Sequence, residues 1–252
     1  MQIEPIRTGI ILPGDLMEGI INRFVTGMPD RSILAVTSKI VSLTENRIAP
    51  AGRREDKINL AKREADYYID TPSSRRFGLV LTVKSNILIP NAGIDESNGN
   101  GSYILWPDDP FKSARNIWAV LRSKFPQSRT GVIITDSRVL PLRWGTTGFG
   151  LSWCGFIPLK NYIGAPDLFG QVLRVTKASM LDGLAAAAVT VMGEGNERTP
   201  LALISDIPGV SFNDLPPTAG EIKELTISPA QDLYAPLIDT PIWRKRRERR
   251  KP

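Results

Sequence analysis

Apolar residues recur along this chain in short runs and in helical stripes that alternate without an internal repeat, the pattern of a protein that mixes strands with helices. Residues 15–25 place Leu16, Ile20, Ile21 and Phe24 on one helical face after Gly14-Asp15. Ser32-Ile33-Leu34-Ala35-Val36 reads as a buried strand running into Thr37-Ser38-Lys39, and residues 53–69 as a charged amphipathic helix containing Ile58, Leu60, Ala61 and Ala65. Residues 78–83 and 86–89 form a pair of strands. The helix that follows is the best defined: Asp109 is its N-cap, Pro110 its first residue, and Phe111, Ala114, Ile117, Trp118 and Leu121 repeat at helical spacing up to Lys124. Next come a strand at 131–135, a glycine-rich passage from Gly145 to Gly155, an alanine-rich helix over 177–192 able to pack very closely, and a last strand at 201–204. Beyond Asp206 the chain is rich in proline and acid and is expected to wrap the surface.

Two acidic signatures stand out against this background. Asn91-Ala92-Gly93-Ile94-Asp95-Glu96-Ser97-Asn98 and Gly131-Val132-Ile133-Ile134-Thr135-Asp136-Ser137 each set a carboxylate on a tight turn at the end of an apolar run. Asp136 is expected where a buried strand releases it, the place where open α/β sheets put ligand chemistry. Two carboxylates with hydroxyl and amide oxygens beside them suit a hard divalent cation holding phosphate. Asp95 also suits the simpler task of capping a turn, Lys39 that of a solvated lysine, and Glu194 that of a loop residue after a helix whose C-cap is Gly193. Gly145 to Gly150 lacks a phosphate-loop lysine and reads as tight backbone packing.

Composition removes whole classes of chemistry. The 252 residues contain no histidine, so serine–histidine triads, histidine–zinc hydrolysis and histidine bases are excluded, leaving carboxylate, hydroxyl, lysine and arginine groups. That set fits phosphoryl transfer and ligation, which rest on positioning and charge neutralisation. One cysteine, Cys154, excludes an internal disulfide and a cysteine-cage zinc site and points to a reducing cytoplasm. No run approaches the roughly 20 apolar residues of a membrane span. The formal charge of +6 resides in Arg244 to Lys251, with seven positive residues and one negative, so the rest of the chain is neutral. Such a cluster reads first as a solvated tail. Nucleic acid is not the expected partner, although an RNA-associated protein that uses this tail stays an alternative.

Several short motifs in fixed order resemble the γ-glutamyl ligases related to the enzyme that adds glutamate to the deazaflavin coenzyme F-420. They are Thr37-Ser38-Lys39-Ile40-Val41-Ser42, Asn91 to Asn98, Pro107-Asp108-Asp109-Pro110 with Ser113-Ala114-Arg115, Val132 to Ser137, Tyr162-Ile163-Gly164 with Gly170, and Ala185 to Gly193, and the likeness spans about residues 9–205. The resemblance implies an α+β fold of mixed sheets with packed helices, two intertwined lobes and a homodimer. It implies a ligase-like domain over residues 1–206, beyond which composition and charge predict a surface-wrapping extension over 207–243 and a basic disordered tail over 244–252. It further implies GTP as substrate, Mn2+ or Mg2+ as cofactor, and L-glutamate joined by an amide bond to an acceptor through an acyl phosphate. A nucleotide-binding regulatory protein without ligase activity is the other alternative.

Carried over by position, Asp95 and Asp136 resemble ligands of a first metal, and Ser137 stands where the family usually has a threonine that helps hold a second. Glu194 stands where the family often has glutamine, also a ligand. Ser38, Lys39 and Asn98 resemble nucleotide contacts, Leu12 and Pro13 match the amino-terminal nucleotide segment, and Met192, Gly193, Glu194 and Gly195 open the run to Arg198 that completes the site. With Asp95 and Asp136, Arg143 is the third catalytic candidate, a clamp for a substrate carboxylate or phosphate. Leu43 stands where the family has a lysine. The passage from Val139 to Gly150 departs from the deazaflavin enzyme and, with Asp232-Leu233-Tyr234-Ala235-Pro236-Leu237, looks like a bacterial branch that glutamylates folate-type pterins, which favours a folate-like acceptor over a deazaflavin. Trp144, Phe149 and Trp153 suit either stacking on a flat heterocycle or the core.

Overall fold

The computed structural model describes residues 1–72, 76 and 78–246. It forms two compact units: unit 1 comprises residues 1–45 and 107–218, unit 2 residues 46–106 and the chain from Ala219 onward, so the backbone passes between them three times. Unit 1 opens with β1 (Gln2–Ile6), α1 (Met17–Phe24), β2 (Ser32–Thr37) and α2 (Ser38–Thr44). Unit 2 takes β3 (Ile48–Pro50), α3 (Arg54–Glu64), β4 (Tyr67–Ile69), β5 (Leu81–Lys84), β6 (Ile87–Pro90) and β7 (Ser102–Ile104). The chain returns to unit 1 for α4 (Pro110–Lys124), β8 (Thr130–Val139), β9 (Thr146–Cys154), β10 (Leu159–Asn161), β11 (Lys177–Ser179), α5 (Met180–Met192) and β12 (Leu201–Ser205). It ends in unit 2 with α6 (Ala219–Leu225), α7 (Ala235–Ile238) and β13 (Arg244–Lys245). The architecture is α+β, and among the described residues no helix is long and apolar enough to cross a membrane.

Unit 1 is built on a five-stranded sheet in the order β1-β12-β2-β8-β9, in which β2 and β8 are parallel and the other neighbours antiparallel. Ile33 to Val36 and Val132 to Ile134 are all buried, which is why these central strands read as unbroken apolar runs. Helix α4 forms as its spacing predicts, with Asp109 Oδ1 accepting from the Lys112 amide at 2.9 Å and Ala114, Ile117, Trp118 and Leu121 buried. The Lys124 ammonium donates to the carbonyls of Ile21, Asn22 and Val25 at 3.2, 2.8 and 2.8 Å, completing the C-terminal end of α1 that has no further turn to bond to. The α1 stripe is narrower than expected: Ile20 and Ile21 are buried, but Leu16 lies before the first turn and is exposed.

Four assignments shift. The glycine-rich passage, given no element by its pattern, is the edge strand β9, antiparallel to β8. Its glycines admit α5: a Cβ on Gly148 would lie 2.6 Å from the Ala185 carbonyl oxygen, and one on Gly150 would lie 2.3 Å from Leu181 Cγ. The alanine-rich helix starts at Met180, because Lys177–Ser179 pair with β10 and the Ser179 hydroxyl caps the helix by accepting from the Asp182 amide at 3.1 Å. The helix expected to Ile69 stops at Glu64, and Tyr67–Ile69, aromatic and β-branched, pair with β5 instead. Strand β1 carried no recognisable alternation and was not expected.

Unit 2 contains a four-stranded antiparallel sheet in the order β13-β4-β5-β6 and the short β3-β7 pair. Ser85 and Asn86, both at positive φ (50° and 62°), make the tight turn between β5 and β6. The basic segment expected to be disordered from Arg244 begins as strand β13 against Tyr67 and Tyr68, while residues 247–252 lie outside the described residues. The extension expected as one piece over 207–243 is divided, with residues up to Thr218 in unit 1 and the remainder in unit 2.

A charged cluster holds unit 2 together. The Glu64 carboxylate pairs with Arg47 at 2.8 Å and Lys84 at 2.9 Å, and Arg47 Nε also donates to the Trp106 carbonyl at 3.1 Å. Burial pushes the Glu64 carboxyl up, but Lys84 and Arg47, through charge and hydrogen bonds, outweigh it and leave it below its ordinary value of 4.5. A carboxyl lowered on folding stabilises the folded state above its unfolded pKa, and that stability drains away as pH falls from about 4.5 through the folded value. Glu64→Gln is expected to cost about 1.5–3 kcal/mol at neutral pH and to flatten the acid limb of a urea-midpoint series relative to the wild type. An unchanged acid limb would remove Glu64 from the cause.

Candidate functional site

Strand register gathers the unit 1 candidates at one end of the five-stranded sheet. Thr37 is level with Thr135 in the parallel β2-β8 pair, so Ser38-Lys39 and Asp136-Ser137 follow from adjacent strands at the same height. Leu201 is level with Val36 on one side and Ile6 on the other, so residues 193–200 enter β12 and the chain leaves β1 toward Leu12 and Pro13 at that same end. Backbone bonds stitch the segments together: Thr37 N to Pro200 O at 3.0 Å, Thr8 N to Arg198 O at 2.8 Å, and Gly14 N to Leu43 O at 3.2 Å.

Each group has an identifiable support. Thr37 Oγ1 accepts from the Lys39 amide at 3.4 Å and starts α2, with Ser38 buried and Lys39 half-buried. Leu12 N donates to Asp15 Oδ2 at 2.8 Å and holds the exposed Leu12-Pro13 turn. Asp136 is not released beyond its strand: β8 continues to Val139, and Asp136 is level with Phe149 just after an irregularity between Ile134 and Thr135. Alternation along a strand would send Asp136 and Ser137 to opposite faces. Asp136 Oδ1 accepts from the Ser137 amide at 2.8 Å.

Glu194 is the hub of the cluster. Its Oε2 accepts from Ser137 Oγ at 3.3 Å and its Oε1 from Thr146 Oγ1 at 3.2 Å. Gly193 ends α5 at φ +79°, as its C-cap role predicts, and so turns Glu194 toward the β8-β9 pair. The following loop folds on itself, with Glu197 Oε2 accepting from the Gly195 amide at 2.8 Å and Thr199 Oγ1 donating to the Met192 carbonyl. Met192 is buried. Thr146 was not legible in the sequence, since only the β8-β9 register brings it here, whereas Glu197 lies within the expected run from Met192 to Arg198.

Asp95 and Asn98 belong to unit 2. Asn91 holds the approach: its Oδ1 accepts from Val80 N at 2.9 Å, and Thr82 Oγ1 accepts from Ala92 N at 2.8 Å. Asp95 exchanges backbone bonds with Ile104 at 2.9 and 2.8 Å, and its Oδ1 accepts from Ser97 N at 2.7 Å, the turn-capping geometry that competes with a ligand role. Lys57 closes the loop by pairing with Glu96 at 3.2 Å while its ammonium lies 5.6 Å from the Tyr103 ring centre. Asn98, exposed, sits at φ 57° on the turn.

The substrate-side candidates separate cleanly. Phe149 and Trp153 are core residues, Trp153 meeting Phe111 edge-on at 5.3 Å, whereas Arg143 and Trp144 are exposed on the loop between β8 and β9. Leu43 is buried, so the family's lysine position has become part of the core. Burial pushes the Cys154 thiol up to about 12, which outweighs Arg115 and a Gly155 hydrogen bond and leaves it unreactive at neutral pH.

The donor set at this end of unit 1, namely two carboxylates and two hydroxyls, is all oxygen and fits a hard divalent cation. Among the described residues no three acidic, histidine or cysteine side chains form a ready-made cage, so such an ion would also draw on hydroxyls, water or a phosphate. Acidic and hydroxyl oxygens at one end of a sheet, without histidine or a reactive thiol, define a class of site suited to cation-assisted phosphate chemistry. Residues 5–206 match the model of the F420-0:gamma-glutamyl ligase family, and the chain belongs to that family of amide-forming enzymes. It is 32% identical over 213 residues to a coenzyme F420:L-glutamate ligase of Methanosarcina mazei, covering 77% of this chain and 81% of that one. The identity to the coenzyme F420:L-glutamate ligase of Methanococcus maripaludis is 31% over 220 residues, 82% of this chain and 86% of the relative. With that of Methanopyrus kandleri it is 28% over 256 residues, 93% and 97% of the two chains.

Proposed function

We propose that this protein is a GTP- and divalent-metal-dependent ligase that adds L-glutamate through an amide bond to a deazaflavin acceptor of the coenzyme F420 type. The observation that carries the reading is the convergence of Ser38, Lys39, Asp136, Ser137 and Glu194 at one end of the sheet in a γ-glutamyl ligase family member. The acceptor carboxylate attacks the γ-phosphorus of GTP and GDP departs, leaving an acyl phosphate. The glutamate amino group then attacks the acyl carbon, phosphate leaves, and the nitrogen loses its proton. Asp136, Ser137 and Glu194 would hold Mn2+ or Mg2+, and the ion supplies neutralisation of phosphate charge. Ser38, Lys39, Leu12 and Pro13 flank the nucleotide, the run from Met192 to Gly195 closes it, and Arg143 binds the acceptor carboxylate.

The names of the relatives favour the deazaflavin. Burial of Phe149 and Trp153 leaves Trp144 as the one exposed aromatic of the three and weakens the case for a rebuilt pterin pocket. Exposed Leu168 and Phe169 on the excursion between β10 and β11 support a homodimer. Mass spectrometry of deazaflavin and folate acceptors incubated with enzyme, GTP, Mn2+ and labelled glutamate tests the reading. Glutamate addition to the deazaflavin is expected, addition only to folate reassigns the acceptor, and no addition to either with GTP still bound leaves a nucleotide-binding regulator.

A further inference from the structure

Thr146 is the first residue of β9 and pairs with Val139, the last of β8, so it closes the base of the loop bearing Arg143 and Trp144. Within that loop the backbone is tied by the Arg143 amide to the Leu140 carbonyl at 3.3 Å, and Leu142 and Trp144 are fully exposed. At its base, the Glu194 carboxylate takes a hydrogen bond from each strand, Ser137 on β8 at 3.3 Å and Thr146 on β9 at 3.2 Å. A carboxylate only accepts, so both hydroxyls donate, and each keeps lone pairs for another electrophile. Ser137 can therefore ligate a cation without leaving Glu194. Thr146 occupies Oε1 and thereby fixes how Oε2 meets Ser137.

We infer that Thr146 is a positioning residue that couples the cation site to the Arg143–Trp144 loop through Glu194. The inference rests on the cation-binding role proposed above for Ser137 and Glu194. Cation binding fixes the carboxylate, the carboxylate fixes Thr146, and the loop base stiffens. Because such coupling is reciprocal, an acceptor that orders the loop tightens the cation by the same factor.

The test uses the full chain with Mn2+ as the probe, comparing wild type, Thr146→Val, which keeps the shape and removes the hydroxyl, and Thr146→Ser, which restores it. Calorimetry is expected to show Thr146→Val binding Mn2+ roughly 10-fold more weakly, the low end of the loss typical of an outer partner of a metal ligand. Hydrogen exchange at the amides of residues 140 and 142–146 is expected to slow on Mn2+ addition in wild type and Thr146→Ser but not in Thr146→Val. Equal Mn2+ affinity and equal slowing in all three proteins overturns the coupling. If wild type binds no Mn2+, the metal role of the site fails. The latch is then judged by metal-free exchange, where faster exchange at the same amides in Thr146→Val supports it and unchanged exchange overturns it.

Discussion

Asp136→Asn is expected to lower glutamate-dependent phosphate release by roughly 10²–10³-fold, the scale of losing one group that stabilises transition-state charge, which a carboxylate does by holding the cation. The substitution keeps the side-chain shape and an oxygen able to accept from the Ser137 amide, so β8 and its pairing with β9 are retained. What it removes is one negative charge at the end of two parallel strands, where Ser38-Lys39 and Glu194 also converge. Thermal melting is expected to be nearly unchanged and Mn2+ binding weakened. A variant that turns over at the wild-type rate would take Asp136 out of the chemistry and leave it as a strand residue with a local hydrogen bond.

Gly148→Ala is expected to destabilise unit 1 by about 3 kcal/mol, the upper part of the usual overpacking range. Its Cβ would stand 2.6 Å from the Ala185 carbonyl oxygen and 2.7 Å from Val189 Cβ, and a helix carbonyl cannot swing aside as a flexible side chain can. Relief requires lifting α5 from β9. That helix ends in Gly193-Glu194, so the displacement also carries Glu194 away from Ser137 and Thr146, and activity should fall at temperatures where the variant is still folded. Gly183→Ala is the control, because nothing lies within 4 Å of its Cβ and its φ is ordinary. Helix propensity should make it neutral or more stable by up to about 1 kcal/mol. Urea midpoints of the two variants measure the contrast, and equal midpoints would mean that the α5-β9 approach tolerates a methyl group.

What could be read from the sequence follows the strength of the local signal. Helix α4 has a capping aspartate, a first-turn proline and a full apolar stripe, and its bounds match. The central strands β2 and β8 are continuous apolar runs because both faces are covered, and they too were legible. Strand β9 was not, since the glycines that let α5 approach also remove the side chains whose alternation marks a strand. The C-terminal limit of α3 was missed because Ala65 continues the helical stripe while the pairing of Tyr67–Ile69 with β5 is decided at a distance. Asp136 was expected past its strand because apolarity ends at Ile134, although backbone pairing continues to Val139. In the candidate site, the order of motifs pointed to Asp136, Ser137 and Glu194, but the Thr146 contact depends on which residue of β9 faces which residue of β8, a register that glycine-rich strands do not announce.

The sealed thiol has a practical side. With Cys154 enclosed in β9 and its pKa near 12, a maleimide dye added to the native protein has no ready nucleophile. A cysteine introduced at the fully exposed position 144 would then be the sole labelling point in the chain. A fluorophore attached there would follow the tip of the β8-β9 connection in real time, free of background from any other sulfhydryl.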